Sequence, residues 1–150
     1  KSINLYFDFK RFFTKNFFEN RFVYYNDLNN IFNAHKLDNG VFLKIDIEGS
    51  EYRILKDLIK NKEKIIGLCI EFHDIDLHID KINKFINEID LTLIHIHPNN
   101  FGRKDEANNP TVIELSFAKD ANTTNKKNVL PNILDQKNNP LFEDIKLMFD

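Results

Sequence analysis

Lys44, Asp46, Glu48 and Glu51 fall within eight positions of the stretch VFLKIDIEGSEYRIL, residues 41–55. Two further pairs of polar residues are each spaced by two, Glu71/His73 and His95/His97. Carboxylates and imidazoles are the groups that exchange protons in mid-range pH and ligate divalent cations. Residues i and i+2 share one face of a strand, so each pair can address a single ligand. Asp, Glu and His gathered at strand ends could hold a cation, with carboxylates favouring Mg²⁺ or Mn²⁺ and imidazoles drawing it toward Zn²⁺ or Fe²⁺. No compact metal motif such as HExxH occurs.

Simpler readings stand beside these. Asp46 and Glu48 could favour the positive end of a following helix, a placement worth about 0.3–1 kcal/mol. Glu51, in the first helical turn, reads as dipole compensation facing solvent. Lys44 lies mid-strand, where a charge needs a partner or ligand. His95 and His97 could merely pack at a strand end. His35 and His78 read as surface or helix-face histidines, and Tyr52 as core.

The elements that must position these residues follow from periodicity. INLYFDF (3–9) alternates as a half-buried strand, RFFTKNFFEN suits a short helix, and RFVYY reads as a short strand. Asn26 can cap a helix through Lys36 with Leu28, Ile31, Phe32 and His35 inward. VFLKIDI and KIIGLCIEF are apolar on both faces, as in central parallel strands. A helix is predicted from about Ser50 to Lys60, and a second, amphipathic one carries Ile82, Phe85, Ile86 and Ile89. LTLIHIH and TVIELSFA, with no helix between them, predict an antiparallel hairpin with a long loop. The alternation of strand and helix predicts βαβ units and a mostly parallel sheet, whose ligands bind at the carboxyl ends of the strands. Residues 119–140 read as a polar, surface-hugging tail, and DIKLMF as a docked terminal strand.

One domain of 150 residues can bury a real core. The net charge of −2 and pI near 6.2 carry no footprint of nucleic acid or of a cationic membrane patch. No apolar run approaches the roughly 20 residues of a membrane span, and no signal peptide opens the chain. Cys69, the single cysteine, cannot form an internal disulfide and reads as a buried core thiol in a reducing, cytoplasmic setting.

LKIDIEGSEYRIL resembles the K-I-D-[VI]-E-G-x-E element of the FkbM family of S-adenosylmethionine-dependent methyltransferases. IGLCIEFHDI, LIHIHPNN and PTVIELSF occur in similar order in one branch of that family, so the likeness covers roughly residues 22–118, with 119–150 as a polar extension. The resemblance implies an α/β, Rossmann-like methyltransferase sheet, mostly parallel with a C-terminal antiparallel β-hairpin. It also implies O-methylation of a sugar or other hydroxyl-bearing metabolite, a small-molecule or glycan acceptor. Asp46, His73 and His95 are then the expected catalytic residues, and Lys44, Glu48 and Gly49 stand on the donor side. Glu71, His97, Asn99 and Asn100 are expected on the acceptor. In metal-assisted members of the wider class these strand tips hold a divalent cation, which makes Asp46, Glu71 and His73 the candidate ligands.

The family's glycine-rich donor turn has no counterpart, since Gly40, Gly49, Gly67 and Gly102 are the only glycines and no G-x-G occurs. The chain is therefore expected to be the C-terminal portion of such an enzyme, its sheet incomplete at the N-terminal half. VFLKIDI would then need INLYFDF or another copy of the chain along its edge, which makes a homo-oligomer conceivable. Two other functions compete: a catalytically incompetent interaction module, and a divalent-metal-dependent hydrolase-like site.

Overall fold

The computed structural model describes residues 4–9, 17–20, 27–122 and 130–147. Among these residues there are six strands: β1 (Asn4–Phe9), β2 (Phe17–Asn20), β3 (Val41–Asp46), β4 (Ile65–Phe72), β5 (Thr92–Pro98) and β6 (Ile113–Ala118), and three α-helices: α1 (Asp27–Ala34), α2 (Leu55–Lys60) and α3 (Ile75–Glu88). The strands form one sheet in the order β2-β1-β3-β4-β6-β5.

The sheet corrects the expected topology. Only β3 and β4 pair parallel; β1/β2, β1/β3, β4/β6 and β5/β6 are all antiparallel. The four strands from Val41 onward thus make a mixed sheet with one parallel pair, and a mostly parallel Rossmann-like sheet does not form. An apolar run records how much of a strand is buried, not which way its neighbour runs, so the sequence pattern could not supply this. The edge of β3 is covered by β1, in register from Asn4 opposite Asp46 to Phe9 opposite Val41.

Alternation gives the sheet two unlike faces. Val41, Leu43 and Ile45 of β3 are fully buried, while Phe42, Lys44 and Asp46 between them are not. Leu68, Ile70 and Phe72 of β4 and Leu115 and Phe117 of β6 join the first set in a single core with Leu28, Ile31 and Phe32 of α1, Leu55 and Leu58 of α2, and Ile82 and Phe85 of α3. Phe85 meets Phe72 and Phe117 edge-on, with ring centroids 6.1 and 6.0 Å apart. Asn29 of α1 and Asn61 after α2 bind one another and Asp57, tying the two helices.

The opposite face is polar. Lys44, Cys69, Ser116 and His95 lie in one row across β3, β4, β6 and β5, and Glu71, Glu114 and His97 in the next. The C-terminal segment runs beside this row: His95 Nε2 is 2.7 Å from Asp135, His97 Nε2 is 3.6 Å from Asp144, and Asn100 bonds to the backbone of Asn139 and Phe142.

Three local expectations change. Phe17–Asn20 is a strand rather than part of a helix. Residues 144–147 form no strand. The helix expected from Ser50 begins as a 3₁₀ turn, Glu51–Arg53, with α2 proper starting at Leu55. The strand expected at RFVYY, residues 21–25, lies outside the described residues.

Candidate functional site

Because β3 and β4 run parallel, their C-terminal ends arrive together. The pairing of Ile45 with Ile70 carries Asp46 and Glu71 side by side. Beyond β3 the chain anchors Ile47 in the core and then turns through Glu48 at φ +54° and Gly49 at φ +87°. Left-handed backbone is costly for a glutamate, and here it leaves the Glu48 side chain two-thirds exposed at the rim.

The turn also leaves two backbone N–H groups needing acceptors. Glu51 supplies one: its Oε1 accepts from Ile47 N and Gly49 N, both at 3.2 Å. The same oxygen lies 3.1 Å from His73 Nδ1. Glu51 is fully buried, which corrects the expectation that it faces solvent. A dipole argument predicts charge near the helix start but not its direction, and the unpaired amides of the turn draw this carboxylate inward.

His73 is held from three sides. Its Nδ1 meets Glu51, its Nε2 lies 3.7 Å from Glu48 Oε2, and its backbone carbonyl accepts from the Tyr52 hydroxyl. The hydrogen bond to Glu51 raises the pKa of His73, burial opposes this, and the charges of Glu51, Glu71 and Glu48 add to the rise. Burial likewise lifts the Glu71 carboxyl above its ordinary range; Asn99, donating at 2.6 Å, pulls it down, and neighbouring Asp46 pushes it up again. Asp46 Oδ1 is buried with no hydrogen-bond partner, as is Glu51 Oε2.

Behind these tips Lys44 reaches over β4 to pair with Glu114 of β6. Burial works against the Lys44 ammonium, but the bond to Glu114 together with the charges of Cys69, Glu114 and Glu71 outweighs it and its pKa rises. For Glu114, burial is likewise outweighed by Lys44, and its pKa falls. Cys69 is not a core thiol: it is partly exposed on this face, 3.6 Å from Lys44 Nζ and 3.7 Å from Ser116 Oγ, and burial raises its pKa.

The structure brings Asp46, Glu48, Glu71, His73 and Asn99 together. Lys44 is committed to Glu114, and the Gly49 N–H to Glu51. His95, His97 and Asn100 are engaged by the C-terminal segment, on strand β5 or just beyond it, with β6 between β5 and Glu71. The group whose ligand atoms all lie within 4.8 Å of one another is Asp46, Glu48 and His73. That group contains Glu48, expected on the donor side, and not Glu71, which lies beside Asp46. Sequence reasoning missed Glu114, although an acid inside PTVIELSF carries the same signal as Lys44 inside VFLKIDI.

Compared with known proteins, the chain matches no family model, no curated protein and no solved structure. Among the described residues, no helix is long and apolar enough to cross a membrane.

Proposed function

We propose that this chain carries the acceptor side of an S-adenosylmethionine-dependent O-methyltransferase, acting on a sugar or other hydroxyl-bearing metabolite in a reducing, cytoplasmic setting. The observation that carries the reading is the meeting of Asp46, Glu71 and His73 at adjacent strand tips, within and beside the motif LKIDIEGSEYRIL. The donor, when bound, supplies an electrophilic methyl group. Its carboxylate and ribose find no glycine-rich turn among the described residues, and Lys44 and the Gly49 N–H are already engaged.

On the acceptor side the chemistry needs a hydroxyl held in line and relieved of its proton. Glu71 suits the second task, because burial and Asp46 lift its pKa toward the working range while Asn99 fixes one of its oxygens. Asp46 orients the hydroxyl. His95 is bound to Asp135 on β5, with β6 between it and Glu71, which leaves Glu71 as the base.

Titration calorimetry with S-adenosylhomocysteine and a labelled-methyl assay test this reading. Glu71→Gln is expected to lower kcat by about 10²–10⁴-fold with donor affinity unchanged. Heat-silent mixing would instead favour an interaction module without donor chemistry. A metal-dependent hydrolase is a second reading, favoured by the proximity of Asp46, Glu48 and His73. Stoichiometric Zn²⁺ and ester hydrolysis without any donor would support it.

A further inference from the structure

We propose that Asp46, Glu48 and His73 bind one divalent first-row transition cation, and that Glu51 is the positioning residue that aims His73 at it. The inference rests on reading these tips as the reactive site, but its test needs neither donor nor acceptor.

Three independent features converge on it. The ligand atoms lie within 4.8 Å of one another, and atoms bound to one cation at about 2.1 Å sit about 3–3.5 Å apart in tetrahedral or cis-octahedral geometry. Small side-chain rotations close that ring. The imidazole is set as ligating histidines are: a carboxylate takes the Nδ1 side, which fixes the ring and leaves Nε2 for the ion. Nε2 faces Glu48 rather than the core.

The third feature is uncompensated charge. Four carboxylates, Asp46, Glu48, Glu51 and Glu71, surround one imidazole, and nearby Lys44 is taken by Glu114. Asp46 Oδ1 is buried without a partner. Beneath His73 the Glu51 side chain, 0% exposed, also keeps one oxygen unpartnered. Burying anionic oxygen without a donor or cation is unfavourable, and a cation among these side chains answers it. Two carboxylates and one imidazole leave positions open for water or an acceptor oxygen. That set suits Mn²⁺, Fe²⁺ or Zn²⁺ better than Ca²⁺, which seeks six to eight oxygens.

The test titrates chelator-treated protein with Mn²⁺, followed by loss of the free-ion paramagnetic resonance signal and by the melting temperature. One ion per chain is expected, with nitrogen hyperfine coupling from a bound imidazole. Glu48→Gln, at an exposed position that leaves the fold intact, and His73→Ala should each weaken binding at least tenfold, and the latter should lose the nitrogen coupling. Glu51→Gln keeps an acceptor for the two backbone amides and should weaken binding about 10–100-fold with little change in the metal-free melting temperature. Unchanged affinity in Glu51→Gln would remove Glu51 from the arrangement. Absence of Mn²⁺ and Zn²⁺ uptake at millimolar concentration, or wild-type affinity in both Glu48→Gln and His73→Ala, would overturn the site. A protein that transfers methyl groups yet takes up neither Mn²⁺ nor Zn²⁺ would sink the cation and leave the methyl-transfer reading standing; an ion-binding protein that takes no donor would do the reverse.

Discussion

Two backbone amides and one imidazole converge on a single oxygen of Glu51. Truncating that side chain takes the acceptor from the buried Ile47 amide and from the part-exposed Gly49 amide and His73 ring, and an unsatisfied buried donor costs about 1–3 kcal/mol. Glu51→Ala is accordingly expected to lose about 2–4 kcal/mol of stability in urea denaturation, whereas Glu51→Gln should lose much less. Residue type was the legible part of this site. Asp46, Glu71 and His73 announced themselves by charge at strand ends. The inward turn of Glu51 did not, because it answers a local shortage of acceptors that only the folded turn creates. The reach of Lys44 to Glu114 was half visible: a mid-strand lysine demands a partner, but 70 positions of chain separate the two and nothing in the spacing links them.

At the level of elements, α3 was the clearest. Ile82, Phe85 and Ile89 are each at most 1% exposed, as their helical spacing requires. Phe85 closes an aromatic series from Phe72 to Phe117, so its loss leaves a cavity between helix and sheet. Phe85→Ala should cost about 3–5 kcal/mol, read as a lower urea midpoint with an unchanged slope. α2 was less clear, since Glu51–Arg53 winds as 3₁₀ before Leu55 and the hydrophobic stripe does not distinguish the two. Phe17–Asn20 misled for a related reason: Phe17 and Phe18 pair with Phe7 and Tyr6 across a strand ladder, while adjacent phenylalanines fit a helical face equally well on paper.

Over the whole molecule, ionisation and topology set the remaining behaviour. Glu114 has a lowered pKa in the folded state, so its contribution is present above its unfolded value near 4.5 and is lost as pH falls through the folded one. His73 has a raised pKa, so its contribution is complete below about 6.5 and is lost as pH rises through the folded value. Glu71, also raised, favours the folded state at low pH and ceases to do so as pH climbs through its own folded value. Glu114 and His73 together place the greatest stability of the metal-free protein between about pH 4.5 and 6.5, and Glu71 draws the optimum toward the lower end of that range. Glu114→Gln should flatten the acid limb and His73→Gln the upper one, in urea midpoints measured across pH. Strand direction was the least legible property. β1 and β6 enter antiparallel beside two-sided apolar runs that would accept either orientation.

The position of β6 has a bearing on how the chain is made. β5 emerges from the ribosome before β6, yet β6 is its only described neighbour and stands between it and β4. Until β6 has been synthesised, β5 has no ladder to join, and the apolar flank of β4 stays open to any strand that reaches it. β5 therefore reaches the rest of the sheet through β6, and a chain ended before Ile113 would leave it without that partner.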